Sequence, residues 1–146
     1  MNIVYTRKAD VFDLEQIMQS NPESLLQDGR PIELEVFHHF APGMYARELR
    51  IPAGVLLTGK IHKTEHLNIL AKGRIEISNM GESKEMIAPC VFVSQPGTKR
   101  AGYAHEDSVW ITIHATTETD LKILESDLVT NSFDEIEFKP VIEVQK

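Results

Sequence analysis

The sequence has very little cysteine, since Cys90 is the only one in 146 residues. A single cysteine excludes an intrachain disulfide and favours a reducing compartment, so we expect a cytoplasmic protein. Cys90 begins the apolar run Cys90–Val93, which is typical of a buried, inert thiol rather than a nucleophile. Long apolar runs are also missing: none approaches the roughly 20 residues of a membrane helix, and Met1–Tyr5 does not begin a signal peptide. We therefore expect no membrane partner.

Basic residues are scarce relative to acidic ones. The 15 lysines and arginines are outnumbered by 22 aspartates and glutamates, and the formal net charge is -7. Nucleic-acid binders generally carry a basic stripe that displaces phosphate counterions, so this balance argues against that class. The sequence has no glycine-rich phosphate loop and no Cys-x2-Cys zinc pattern. Thr64 and Ser94 have no base in register, which argues against a serine-type triad.

What the sequence does contain is a series of short strand patterns divided by turn residues. Arg74–Ser78 alternates polar and apolar residues, as a half-buried strand does, and Asn79–Glu82 is a turn signal. The other predicted strands are Met44–Arg50, Val55–Leu57, Lys84–Ile87, Val91–Val93 and Val109–His114. Strands at intervals of about ten residues, with glycine and proline between them, predict an all-β sandwich or barrel in a single domain.

Helical spacing occurs only near the two ends. The segment from Asp10 to Ser20 places apolar residues on one face behind an aspartate N-cap, and Asn21-Pro22 ends it. A second helix is predicted from Thr119 to Leu128, where Leu121, Leu124 and Leu128 share one side. Amphipathic helices of this kind most often pack on a core, and dimer contacts are the other use.

The spacing of glycine and histidine resembles the first motif of the cupin superfamily, Gly-x5-His-x-His-x3(or 4)-Glu-x6-Gly. Gly54 is followed by five residues and then Lys60, and His62 comes two positions later. Three more residues lead to His66, and six more lead to Gly73. The spacing therefore fits without a gap, with lysine in the place of the first histidine and histidine in the place of the glutamate.

The second cupin motif, Pro-x-Gly-x2-His-x3-Asn, is matched in part. Gly97 is followed by two residues and then Arg100, which occupies the histidine place, and Ala104 occupies the asparagine place. Pro96 is adjacent to the glycine rather than two positions before it. The resemblance covers about Met44 to Ala115, half of the chain.

This resemblance implies a fold and a division of the chain. Cupins are jelly-roll-like double-stranded β-barrels, often dimeric, with the site inside the wide end. We expect an N-terminal helix and lead-in strand over 1–40, the barrel over 41–117, and a C-terminal helix and tail over 118–146. Exposed strand edges and terminal helices also favour a homodimer.

The resemblance also implies a site. Many cupins bind Fe, Mn, Zn or Ni through three histidines and a glutamate, and this role transfers to His62 and, by position, to His66. Neutral imidazoles suit such ions. The third ligand stays open between His105 and His114, because a one-residue slip of strand register would reverse the facing of either. A hairpin between the last two strands is expected to bring His114 back near Arg100.

The cations at two ligand positions indicate a different chemistry. Lys60 and Arg100 would repel a bound metal, yet beside a cavity they could hold a carboxylate, phosphate or sugar acid. The alternative is that they are solvated rim charges, or that they pair with Glu48 or Glu106.

Aromatic residues of the last two strands are further candidates. Tyr103 and Trp110 are expected to be neighbours across the final hairpin, either as core or interface packing or as a surface on which a ligand stacks. We include Tyr103 with Lys60, Arg100 and His114 among the candidate ligand-binding residues. His38-His39 could bring a histidine to the barrel mouth, but a surface role is expected.

Three functions remain open from these residues. The first is a cupin that binds a metal ion or a small anionic molecule in the barrel mouth, without proven catalysis. The second is a metal-dependent oxygenase, isomerase or lyase with His62 and His66 as ligands. The third is a dimeric interaction scaffold without a ligand. A shared fold does not choose among them.

Overall fold

The computed structural model describes residues 25–27, 30–59, 61–79, 82–98 and 100–130. The helix predicted from Asp10 to Ser20 and the predicted anion-binding Lys60 lie outside the described residues. Within these ranges, no helix has both the length and the hydropathy that crossing a bilayer requires.

The described residues form thirteen strands and one helix. The strands are β1 (Leu25–Gln27), β2 (Arg30–Ile32), β3 (Glu35–Ala41), β4 (Met44–Ile51), β5 (Val55–Thr58), β6 (Ile61–His62), β7 (His66–Lys72), β8 (Arg74–Asn79), β9 (Glu82–Ile87), β10 (Cys90–Ser94), β11 (Arg100–Ala104), β12 (Ser108–Ala115) and β13 (Val129–Thr130). The helix is α1 (Leu121–Leu128). Each internal strand predicted from the sequence is present, with ends that differ by a few residues at most.

The strands form two large antiparallel sheets. The order of the first sheet is β2-β1-β5-β11-β8-β9, and the order of the second is β10-β7-β12-β4-β3. A small third sheet pairs β13 with β6. Chain neighbours often lie in different sheets, which is the arrangement of a jelly roll. The predicted all-β jelly-roll fold is confirmed.

The apolar core lies between the inward faces of the two sheets. Its fully buried members come from both sheets and are Ile51, Val55, Leu70, Ile75, Ile77 and Ala104. Gly73 connects β7 to β8 with a φ of +93°, where an L side chain is strained. A Cβ at Gly73 would also overlap Ser108, so the last glycine of the first motif is required by close packing.

The predicted C-terminal helix is confirmed, except that one of its three leucines is exposed rather than buried. Asp120 is the N-cap, because its side chain accepts hydrogen bonds from the backbone N–H groups of Lys122 and Ile123. Leu124 and Leu128 are buried against Tyr45 of β4. Leu121, predicted to share their side, begins the helix and is 45% exposed.

The predicted final hairpin is wrong. β11 pairs with β5 and β8 in the first sheet, whereas β12 pairs with β4 and β7 in the second. The three residues between them cross from one sheet to the other, so Tyr103 and Trp110 are not cross-strand neighbours. Trp110 instead packs edge-on against Phe92 of β10 and belongs to the core.

A three-histidine cluster as candidate metal centre

Three histidines from three strands meet inside one end of the barrel. His62 ends β6, His66 begins β7, and His114 lies near the end of β12, next to β7 in the sheet. The ring centroids of His62 and His66 are 4.2 Å apart, and those of His66 and His114 are 4.7 Å apart. One ring nitrogen of each histidine lies within 4.8 Å of those of the other two. Such a group has the composition and spacing of a potential metal site.

The backbone fixes these side chains in place. His66 and His114 are each only 4% exposed, because they lie on the inward side of their strands. His62 is held by two backbone bonds to the turn that follows β10. Its N–H donates to the carbonyl of Thr98 at 3.1 Å, and the N–H of Gly97 donates to its carbonyl at 2.8 Å. Gly97 has a φ of +85°, a conformation that favours glycine. This glycine of the second cupin motif therefore allows the turn whose backbone bonds hold His62 of the first motif.

Each imidazole keeps one buried nitrogen that has no hydrogen-bond partner among the residues that the structure describes. These atoms are His62 Nδ1, His66 Nε2 and His114 Nδ1. In His66 the other nitrogen, Nδ1, lies 3.0 Å from the carbonyl oxygen of Thr64 and must carry the proton, since a carbonyl only accepts. Nε2 therefore presents a lone pair. Buried polar atoms of native proteins are nearly always satisfied, so three orphans in one cluster point to a missing partner.

Burial keeps the cluster neutral. It lowers the pKa of His62 from 6.5 to about 3, with further lowering by His66 and His114. Burial likewise lowers the pKa of His114 to about 4, and it lowers the pKa of His66. At neutral pH all three are therefore unprotonated, which is the form that binds a metal ion.

A half-buried cation, Arg100, lies on the inward side of the first sheet. Arg100 lies on the same side of β11 as the core residue Ala104. Its guanidinium carbon is 5.2 Å from the centre of the Phe92 ring, and burial lowers its pKa to about 10. Its positive charge contributes to the lowered pKa values of His62 and His66.

Arg100 has no carboxylate partner in the part of the chain that the structure describes. The two partners proposed from the sequence are engaged elsewhere, so those pairings are wrong: Glu48 bonds His39 and Arg50, and Glu106 pairs with Arg74. The positive charge beside the histidines is therefore left uncompensated by the described residues.

Comparison with known proteins identifies the architecture. No protein-family model matches the sequence, and no curated protein matches it. Among solved structures, a candidate ethanolamine utilization protein Q from Salmonella typhimurium LT2 aligns with 64% of this chain and 80% of its own, at 11% identity and a TM-score of 0.52. A cupin superfamily protein from Desulfitobacterium hafniense DCB-2 aligns with 59% of this chain and 80% of its own, at 9% identity and a TM-score of 0.50. The chain has the cupin fold. At these identities the likeness concerns the fold alone, and the site must be argued from its own residues.

Two residues of this site were missed or left open by the sequence. Of the two alternatives for a third histidine, His114 lies in the cluster, whereas His105 bonds Glu76 at 3.1 Å and lies outside it. Arg47 was missed altogether. It lies between Tyr45 and Leu49 on the inward side of β4, and its charge lowers the pKa of His114. Only knowledge of which β4 residues point into the barrel could have identified Arg47 as part of the site.

Other candidates lie away from the cluster. Tyr103 is on the opposite side of β11 from Arg100, with its ring 4.9 Å from that of His105. His38 has the expected exposed position, but its Nδ1 lies 2.6 Å from the hydroxyl of Tyr45. Tyr45 in turn stacks on His114 at 6.3 Å. Tyr45 therefore contacts both His38 and His114, and His38 itself lies outside the cluster.

Proposed function

We propose that this cupin binds a divalent transition metal ion through His62, His66 and His114 and holds a small anionic ligand beside it with Arg100. The observation that carries the proposal is the convergence of three neutral imidazoles, each with an unpartnered buried nitrogen.

The donor set fits a metal ion. Two imidazole nitrogens bound to one zinc ion at about 2.1 Å lie roughly 3.4 Å apart, so small side-chain rotations close a set that already lies within 4.8 Å. Imidazole suits Zn, Fe, Ni and Cu, and the low pKa values remove competition from protons. When bound, the ion would supply a Lewis acid.

The charge of the site favours an anionic ligand. Three imidazoles leave the full positive charge of a divalent ion in place, because the glutamate of the cupin motif is replaced by His66. Arg100 adds a second cation that repels the ion unless an anion lies between them. A carboxylate or phosphate satisfies both, and the planar guanidinium can bind it through two parallel hydrogen bonds. Arg47, an exposed residue on the same side of β4 as Tyr45, adds further positive charge that acts on His114.

Catalysis is the second candidate function. Structural zinc sites are closed by four protein ligands, whereas catalytic sites keep a position for water or substrate. Among the described residues, only the three histidines form a group able to hold a metal. An open coordination position supports a metal-dependent enzyme, and the proposed anion would then be its substrate.

Elemental analysis by mass spectrometry tests the metal. Untagged protein purified without chelator is compared with His62→Ala/His66→Ala and with His114→Ala. His39→Ala is the control, because its side chain is 57% exposed and lies outside the cluster. We expect near-stoichiometric metal in wild type and in the control, and loss of most of it in both cluster variants. Wild type that stays metal-free after incubation with divalent ions would contradict the proposal.

Thermal stabilisation tests the anion. Metal-loaded wild type, Arg100→Gln and the surface control Arg74→Gln are heated with and without millimolar phosphate, acetate, oxalate and citrate. Ligands that bind the folded state raise Tm by mass action. We expect at least one of these anions to raise Tm in wild type and in the control but not in Arg100→Gln. An equal rise in all three proteins would remove Arg100 from the proposal.

A further inference from the structure

Two rows of inward side chains cross the second sheet at the histidine end. The first, the histidine row, holds two members of the cluster, and the strand register aligns it in the order Ser94, His66, His114, Tyr45 and Phe40. The second, the arginine row, lies at the next inward position of each strand, and its order is Phe92, Asn68, Thr112, Arg47 and His38. The arginine row therefore separates the histidine row from the aliphatic core.

A cation lies toward each end of the arginine row. The guanidinium carbon of Arg100, which comes from the facing sheet, is 5.2 Å from the centre of the Phe92 ring. Arg47 lies three strands away from Phe92, a backbone separation of roughly 14 Å. The side chains between them, Asn68 and Thr112, are uncharged. Neither arginine has an ion-pair partner among the residues that the structure describes, so both charges lack a described counter-charge.

The arginine row opens to solvent on its Arg47 side. Asn68 is 1% exposed and Thr112 is half-buried. Arg47 and His38 are exposed although they occupy inward positions. Inward residues with this exposure lie where the two sheets no longer cover each other, so the space between the sheets is open at β4 and β3. The row therefore provides a path from solvent at Arg47 to the half-buried Arg100.

The histidine cluster lies beside this path, between the two cations. His66 is on β7 and His114 is on β12, and these strands separate β10, which carries Phe92, from β4, which carries Arg47. The electrostatics agree with this order. Besides burial, the charge of Arg100 lowers the pKa of His66, whereas burial, His66 and Arg47 lower the pKa of His114. Each arginine thus acts on the histidine of the nearer strand.

We infer that the ligand of this site has two anionic ends, as a dicarboxylate has, with one end bound by Arg100 and the other by Arg47. The inference rests on the proposed function, because it describes the anion that is held beside the metal ion. A ligand with one anionic group would compensate one arginine and leave the charge of the other facing the ion. Planar guanidinium groups match the two oxygens of a carboxylate. Two anchored cations also favour one spacing of the carboxylates, so one chain length should bind best.

Calorimetric titration of metal-loaded protein tests the second anionic end. Butyrate is compared with malonate, succinate, glutarate and adipate on wild type, Arg47→Gln, Arg47→Lys and Arg100→Gln. Arg74→Gln is the control, because Arg74 pairs with Glu85 and Glu106 away from the cluster.

We expect the best dicarboxylate to bind wild type and the control about tenfold more tightly than butyrate, the scale of one hydrogen bond to a charged group. Arg47→Gln should lose most of this preference and keep its affinity for butyrate. Arg47→Lys should keep part of the preference, since it keeps the charge. Arg100→Gln should bind both kinds of acid more weakly.

Three results would overturn the inference. Equal affinity of wild type for butyrate and every dicarboxylate, with weaker binding of both by Arg100→Gln, would mean a ligand with one anionic end and would leave the proposed function standing. A preference that Arg47→Gln retains would mean that the second carboxylate binds the metal ion rather than Arg47. Wild type that takes up no metal, or that binds none of these acids, would overturn the proposed function together with this inference.

Discussion

The two ends of the barrel interior are built from different kinds of side chain, and single strands run from one to the other. The inward residues of β7 change from His66 through Asn68 to Leu70, all at most 4% exposed. At the Leu70 end the two sheets pack an aliphatic core, as expected for the apolar interior of a folded protein. At the His66 end burial is equally deep, yet the groups are polar and three ring nitrogens have no partner within the described ranges. Deep burial of unsatisfied polar groups opposes folding, so this end is organised for binding rather than for stability.

Lowering the pH should give the largest loss of stability, and this loss should come from the histidines at the polar end. Below pH 6.5 an unfolded histidine binds a proton, whereas folded His62 and His114 stay neutral down to about pH 3 and about pH 4. The unfolded state then binds more protons, so stability falls as the pH falls. Between pH 7 and pH 5 each histidine removes at most about 2 kcal/mol, roughly 4 kcal/mol together.

Urea unfolding of metal-free protein at pH 7, 6 and 5 measures this loss. The His62→Gln/His114→Gln variant is the control, because it keeps polar side chains and removes both titrations. Its stability should depend less steeply on pH than that of wild type. Parallel pH profiles for the two proteins would show that these histidines do not titrate as buried groups.

Truncation of a core side chain at the aliphatic end should give the next largest loss of stability. Leu70 is fully buried in the aliphatic core, so Leu70→Ala removes transfer free energy and leaves a cavity. The expected loss is about 3 kcal/mol, within the usual 2–5 kcal/mol for such changes. The same measurement on Leu67→Ala, next to it in the strand but 43% exposed, should show a much smaller loss in monomeric protein. Equal losses at both positions would contradict the assigned facing of β7.

The sequence predicted much of this architecture because the signals are local. Alternation in Arg74–Ser78 predicted β8, the helical spacing of leucines after Thr119 predicted α1, and the spacing from Gly54 to Gly73 predicted that His62 and His66 share a site. Each of these depends on residues that are close together in the chain.

What the sequence could not supply depends on long-range pairing. A short link after β11 permits either a hairpin or a crossing to the facing sheet, and only the packing of the whole barrel decides between them. The facing of β12, and with it the choice of His114 over His105, follows from its register with β7. Arg47 has no motif at all, and it becomes visible only when β4 is known to turn that residue inward.

Asn68 lies between the polar end and the aliphatic end of the barrel interior, on the inward side of β7. Its substitution should give the smallest of the three losses of stability. Asn68, 1% exposed, donates from Nδ2 to Ser94 Oγ at 2.7 Å and accepts at Oδ1 from Trp110 Nε1 at 3.1 Å. Asn68→Leu has a similar volume but leaves the half-buried Trp110 N–H and the buried Ser94 hydroxyl without this partner. Such orphaned groups cost about 1–3 kcal/mol. Adding Trp110→Phe removes the orphaned N–H, so the double variant should lose less stability than the sum of the two single variants. Strict additivity in urea unfolding would mean that Asn68 and Trp110 contribute to stability independently.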